Sequence, residues 1–130
     1  MDLTQLVNIN MGLDLYIEKV SRKELAYFRK VNFLIPFFGS FFNTEINNLE
    51  DLKITKESIK ELKDRCEHIL ADHTIAKDLL PTRGGCFFGS VSYNKYYYED
   101  VEKVLNNCVT LLQEFDNLKE GESIIFNIWY

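Results

Sequence analysis

Val101, Val104, Leu105, Cys108, Leu111, Leu112 and Phe115 recur at steps of three and four near the C-terminal end of the chain. That spacing puts them on one stripe of a helix, and Glu99 and Asp100 just ahead of it suit the positive end of a helix dipole. A second stripe, Ile59, Leu62, Cys66, Ile69 and Leu70, follows Thr55, a residue type that caps helix N-termini. Both stripes need covering, so the fold must supply a core that buries two helices on one face each.

The rest of the chain carries strand signals between helical ones. Leu13, Leu15 and Ile17 alternate with Asp14, Tyr16 and Glu18, the period-two pattern of a half-buried strand over residues 13–20. Ser21 and Glu24 have capping-box spacing, and Leu25, Phe28, Asn32 and Ile35 follow at helical steps until Pro36, so a first helix is expected there. Residues 37–48 form either a short helical piece or a structured loop. "LEDLKIT" holds a short strand, "IAKDLL" a helical turn, "CFFGSVS" at 86–92 a strand and "SIIFNIWY" a terminal strand. With 130 residues and 46% hydrophobic content, one core is affordable. The expectation is a single compact α+β domain over 11–130, with a small, mostly antiparallel or mixed sheet and about three helices packed on it. Residues 1–10, polar and unpatterned, are an N-terminal extension.

A net charge of −5 argues against a protein that grips bulk nucleic acid through its phosphates. The longest apolar stretch, "VNFLIPFFGSFF" at 31–42, is interrupted by Pro36 and Gly39 and is too short to span a bilayer, and the N-terminus lacks the pattern of a secretory signal. Three cysteines, Cys66, Cys86 and Cys108, are an odd, widely spaced set, which fits reduced core thiols in a cytoplasmic protein.

No stretch carries a specific catalytic motif. His68 and His73, with Cys66, are too few to close a zinc site. Ser90 lies outside a nucleophile elbow because Ser92 stands where the second glycine belongs. Neither a catalytic residue, a metal site nor a cofactor is expected. What stands out is "LLPTRGGCFFGSVSYNKYYYEDV" at 79–101. Its Arg83, Gly84 and Gly85 have the makings of an anion-binding turn, with a plain loop as the simpler reading. Leu79, Leu80, Phe87 and Cys86 read as core. Tyr96, Tyr97 and Tyr98, with Lys95 beside them, cannot all point into one core, and exposed rings offer surfaces for stacking. Arg29 and Asn32 share a face of the expected first helix and supply polar groups near its apolar boundary.

Four blocks, "MGLDLYI" at 11–17, "AYFRKVN" at 26–32, "LLPTRGGCFFGS" at 79–90 and "YYYEDVE" at 96–102, together resemble a family of small uncharacterised proteins encoded by bacteriophages and prophages. Its members carry MGLDMYL at the start, an AYWRKAN-like helix, LLPT followed by FFFGS, and a YYYEDL-like stretch, in this order and spacing. The chain departs from that pattern by ten residues ahead of Met11, by Leu15 in place of Met, by Phe28 in place of Trp and by a different segment at 33–50.

The resemblance implies a phage setting, in which small accessory proteins without catalytic motifs blunt host defence. Two expectations follow. The first is a non-catalytic, homo-oligomeric binding protein in the bacterial host cytoplasm that sequesters a nucleotide-like or other anionic immune signal, using Arg29, Asn32, Arg83, Gly84, Gly85, Ser90, Lys95, Tyr96, Tyr97 and Tyr98. The second is an inhibitor of a host defence protein, a CRISPR or other anti-phage component, acting through "FLIPFFGSFF" or the terminal "IWY". An exposed apolar patch at 31–42 is also what a homo-oligomer would use.

Overall fold

The computed structural model describes residues 12–130, and the expected extension at 1–10 lies outside them. Among these residues four α-helices and a two-stranded antiparallel sheet follow in the order α1 (Leu34–Phe41), β1 (Leu52–Lys53), α2 (Lys56–Ala71), α3 (Ala76–Leu79), α4 (Lys95–Asp116) and β2 (Ile125–Phe126), with a 3-10 turn at His73–Ile75 before α3.

The two helices with the clearest stripes form the body. Thr55 caps α2 by accepting from the Ser58 amide, while the Ser58 hydroxyl accepts from the Thr55 amide. Asn94 caps α4 by accepting from the amides of Tyr96 and Tyr97. α2 and α4 share the largest interface between elements. Lys56 at the start of α2 pairs with Asp116 at the end of α4, and His73 just beyond α2 stacks on Tyr98 in the first turn of α4, so the two helices run antiparallel. Between these ends Ile59, Leu62, Cys66 and Ile69 meet Val101, Val104 and Cys108, all within 2% of full burial. Each large apolar side chain so buried contributes about 1.5–3 kcal/mol.

Residues 31–38 complete the core. Val31, Phe33, Leu34, Ile35, Phe37 and Phe38 are buried, so the apolar 31–42 stretch is interior, with Phe41 partly exposed at its end. The expected first helix over 21–35 is therefore displaced. Residues 21–28 are irregular, and the helix begins at Leu34, where Pro36 sits in the first turn and gives up no hydrogen bond. Burial of six phenylalanine and aliphatic side chains outweighs the local capping pattern at Ser21.

The sheet is smaller than expected. Leu52 pairs with Phe126 and Lys53 with Ile125, and further bonds from the Ile54 amide to the Ile124 carbonyl and from the Leu49 amide to the Ile128 carbonyl lengthen the ribbon. Ile54, Ile124 and Phe126 join the core from one side, Phe126 against Phe38 with ring centroids 4.5 Å apart. Two expected strands are absent from the described residues. Residues 13–20 are irregular and exposed, and 86–92 is an irregular loop in which Cys86 and Phe87 are exposed rather than core. Phe87 holds a left-handed φ of 69°, which a pleated strand does not accommodate. No helix among the described residues is long and apolar enough to cross a membrane.

Candidate functional site

A hollow of about 260 Å³ lies where residues 29–33, the 82–92 loop and the first turns of α4 meet. Its walls include Arg29, Lys30, Asn32, Ser90, Tyr96, Tyr97 and Asp100. The loop holds this shape because of Asn32. This side chain, 5% exposed, donates through Nδ2 to the carbonyls of Phe88 at 3.0 Å and Ser90 at 2.9 Å, and accepts through Oδ1 from the Arg83 amide at 3.0 Å. One buried amide thus ties both ends of the 83–90 loop to the core. Gly89 lets the loop close against Lys30. Its φ is +85°, and a Cβ there would stand 3.0 Å from the Lys30 Cβ.

Asp100 sits at the inner side of α4, and burial raises its carboxyl above the ordinary aspartate value, with Glu99 adding repulsion and Lys103 partly opposing it. Tyr96 is 61% exposed and lines the hollow, with the Lys95 ammonium 5.0 Å from its ring centre, whereas Tyr97 is 5% exposed. The Tyr97 hydroxyl donates to the Leu80 carbonyl at 2.8 Å and its ring meets Phe33 edge-on, so it joins α4 to α3 and α1. Burial pushes its phenol well above the ordinary value. Tyr97 touches the hollow as a wall, and its hydroxyl is already engaged.

The remaining expected residues divide. Lys95 and Tyr98 line a second, shallower hollow with His73, Tyr93 and Glu102, and Asn94 borders both. There Tyr98 stacks on His73 with centroids 3.7 Å apart and planes within 8°. Arg83, Gly84 and Gly85 line neither hollow. The Arg83 guanidinium lies 5.8 Å from the Phe88 ring centre, and its backbone amide is taken by Asn32. His68 bonds within its own helix, Nδ1 lying 2.9 Å from the Asp64 carbonyl. Arg29, Asn32, Ser90, Tyr96 and Tyr97 are thus brought together, and Arg83, Gly84, Gly85, Lys95 and Tyr98 lie elsewhere.

Two participants were missed in the sequence. Lys30 adjoins Arg29, but in the expected helix it faces away. A left-handed φ of 59° at Lys30 turns it into the hollow's rim instead. Asp100 reads in the sequence as helix N-terminal charge. Its distance of three residues from Tyr97 on one helix was the available signal, since that places both on the same face.

The site therefore combines two adjacent cations, an exposed ring, a part-buried carboxyl and the N-terminal turn of a 22-residue helix. Asn94 already occupies the amides of Tyr96 and Tyr97, so an anion here would be held chiefly by Arg29 and Lys30. No protein-family model matches the chain, and no match is found among curated proteins or among solved structures.

Proposed function

We propose that the protein is a phage-encoded, non-catalytic binding protein that captures a small nucleotide-like anion in the hollow beside Arg29 and acts in the host cytoplasm to withdraw an immune signal. The observation that carries this reading is the convergence of Arg29, Lys30, Tyr96 and Asp100 on one concavity of about 260 Å³. That volume is slightly below the usual range of small-molecule sites, about 300–1,000 Å³, and suits one nucleotide unit with part of it in solvent. The cations would meet phosphate, Arg29 in bidentate fashion. Tyr96 would stack on the base. Asp100 would accept from an exocyclic amine and so favour adenine, guanine or cytosine over uracil.

Calorimetry with mononucleotides, cyclic dinucleotides and ADP-ribose tests this. Saturable heat with at least one of them is expected, with Arg29→Ala and Tyr96→Ala each weakening binding tenfold or more, and Arg83→Ala leaving it unchanged. Silence across the panel, or full affinity in Arg29→Ala, would overturn the reading.

The alternative, inhibition of a host defence protein, draws on Trp129 and Phe87, which are 86% and 76% exposed. Large aromatic side chains in such positions are common anchors of protein interfaces. The "FLIPFFGSFF" segment no longer serves it, being mostly interior. A purified defence component that binds the wild-type protein and is released by Trp129→Ala would favour this reading over nucleotide capture.

A further inference from the structure

Residues 13–20 have the side-chain alternation of a strand, yet belong to no sheet. Leu13, Leu15, Tyr16, Ile17 and Val20 are 75–105% exposed. Among the described residues, the backbone of 12–30 makes no hydrogen bond to another backbone group. The segment is anchored just downstream, where Arg22 grips Asp51 through both guanidinium nitrogens, at 2.9 and 2.5 Å, directly ahead of β1. Asn127, directly after β2, donates to the same carboxylate.

The ribbon beside that anchor has the complementary deficiency. Ile54 bonds inward to Ile124, so by the alternation of antiparallel pairs the amide and carbonyl of Lys53 point to the outer edge, and neither has a backbone partner among the described residues. Such an edge is a template for another strand. Its two faces also match the arm's. Leu52 and Ile54 turn toward the core while Lys53 is exposed. A strand laid along β1 with Leu13, Leu15 and Ile17 on the core side would extend that buried face and put Asp14 and Glu18 on the side of Lys53.

We propose that the arm of residues 13–20 adds to the outer edge of β1 in a second copy of the chain, giving a two-fold dimer by reciprocal exchange. The occupant is a second copy, because within one chain the arm leaves the β1 edge unpaired while its alternation and its acidic residues match that edge. The charges agree, with acidic residues of the arm opposite Lys53. The area agrees as well. The six core-facing side chains of two arms, with the paired backbone and the surfaces they cover, would remove on the order of 1,000 Å² from water, at the lower limit of specific interfaces. The two strands of the present ribbon would become part of a wider sheet in each protomer. This dimer requires no ligand and stands or falls separately from nucleotide capture.

Sedimentation velocity on the full chain over a wide concentration range tests the inference. A species of twice 15.3 kDa is expected. Ile17→Glu should weaken the dimer at least tenfold, and because Ile17 is fully exposed in the single chain, the circular dichroism of the monomer should not change. Glu18→Lys and Lys53→Glu should each weaken it several-fold, and combining them should restore it. A chain that stays at 15.3 kDa at every concentration overturns the proposal. So does a dimer indifferent to Ile17→Glu, which would place the contact elsewhere.

Discussion

The Asn32 side-chain amide donates to the Ser90 carbonyl at 2.9 Å across 58 residues of sequence. With its bonds to Phe88 and Arg83, this makes Asn32 the point at which the 83–90 loop and the core are joined. Replacing it with Ala would strand a buried amide and two carbonyls, costing about 2–4 kcal/mol. Asn32→Asp is the sharper variant. A carboxylate accepts from the Arg83 amide but repels both carbonyls, so the loss should equal or exceed that of Ala. Denaturant unfolding checks both, and Asn32→Asp matching wild type would show that the two donated bonds do not matter.

Tyr97 and Tyr96 should part company on mutation, although they are adjacent. Tyr97→Phe removes the bond to the Leu80 carbonyl and should cost about 1–2 kcal/mol in stability while leaving nucleotide affinity unchanged. Tyr96→Ala should do the reverse, because a side chain 61% exposed contributes little to the core. Paired melting and calorimetric titration of the two variants reads this separation. A large affinity loss in Tyr97→Phe would move the phenol from the wall of the hollow to the ligand.

What the sequence made legible was whatever rests on dense local periodicity. The stripes of α2 and α4 and the Thr55 cap reappear, and of the terminal strand expected over 123–130 the part at Ile125–Phe126 does, because each is reinforced by side chains three or four apart or by strong β-formers. The start of α4 moved because Asn94 caps more effectively than the acidic pair at 99–100, which drew Tyr96–Tyr98 into the helix and buried the middle one. Residues 13–35 misled for a related reason. Alternation and capping-box spacing are local, whereas the position of Leu34–Phe41 is decided by a core that only the folded chain assembles. The site was half legible. Arg29, Ser90 and Tyr96 do gather, but the three-way bonding of Asn32 and the inward turn of Lys30 depend on contacts 50 or more residues apart or on a left-handed φ, which no window of sequence displays.

Gly89→Ala tests whether the loop's approach to Lys30 shapes the hollow. A Cβ would have to tolerate a φ of +85° and a neighbour at 3.0 Å, so a stability loss of about 1–2 kcal/mol is expected. Displacing Lys30 should also reduce anion affinity several-fold. Gly121→Ala is the control, since its φ is likewise +85° but nothing lies within 4 Å. It should show the conformational cost alone and no change in binding. Equal binding losses in the two variants would disconnect Gly89 from the site.

The three thiols should behave as one exposed and two hidden groups. Cys86 is exposed, while Cys66 and Cys108 face each other's helices at 0% exposure. Burial raises Cys66 far above the free-thiol value and pushes Cys108 up to about 12. A folded-state pKa above the unfolded one stabilises the fold fully below the unfolded value and less as pH rises toward the folded value. For these thiols the loss begins near pH 8.5, the value of a free cysteine, and continues toward about pH 12. The raised phenol of Tyr97 adds to it above about pH 10. A thiol-specific reagent at neutral pH should therefore modify one cysteine quickly and the other two only at the rate of unfolding, and urea midpoints should fall steadily above about pH 8.5. Cys66→Ala, which removes one of the titrating groups, should flatten that alkaline decline even though it lowers stability at neutral pH through the cavity it leaves. An undiminished alkaline slope in Cys66→Ala would assign the decline to Tyr97 and Cys108 instead.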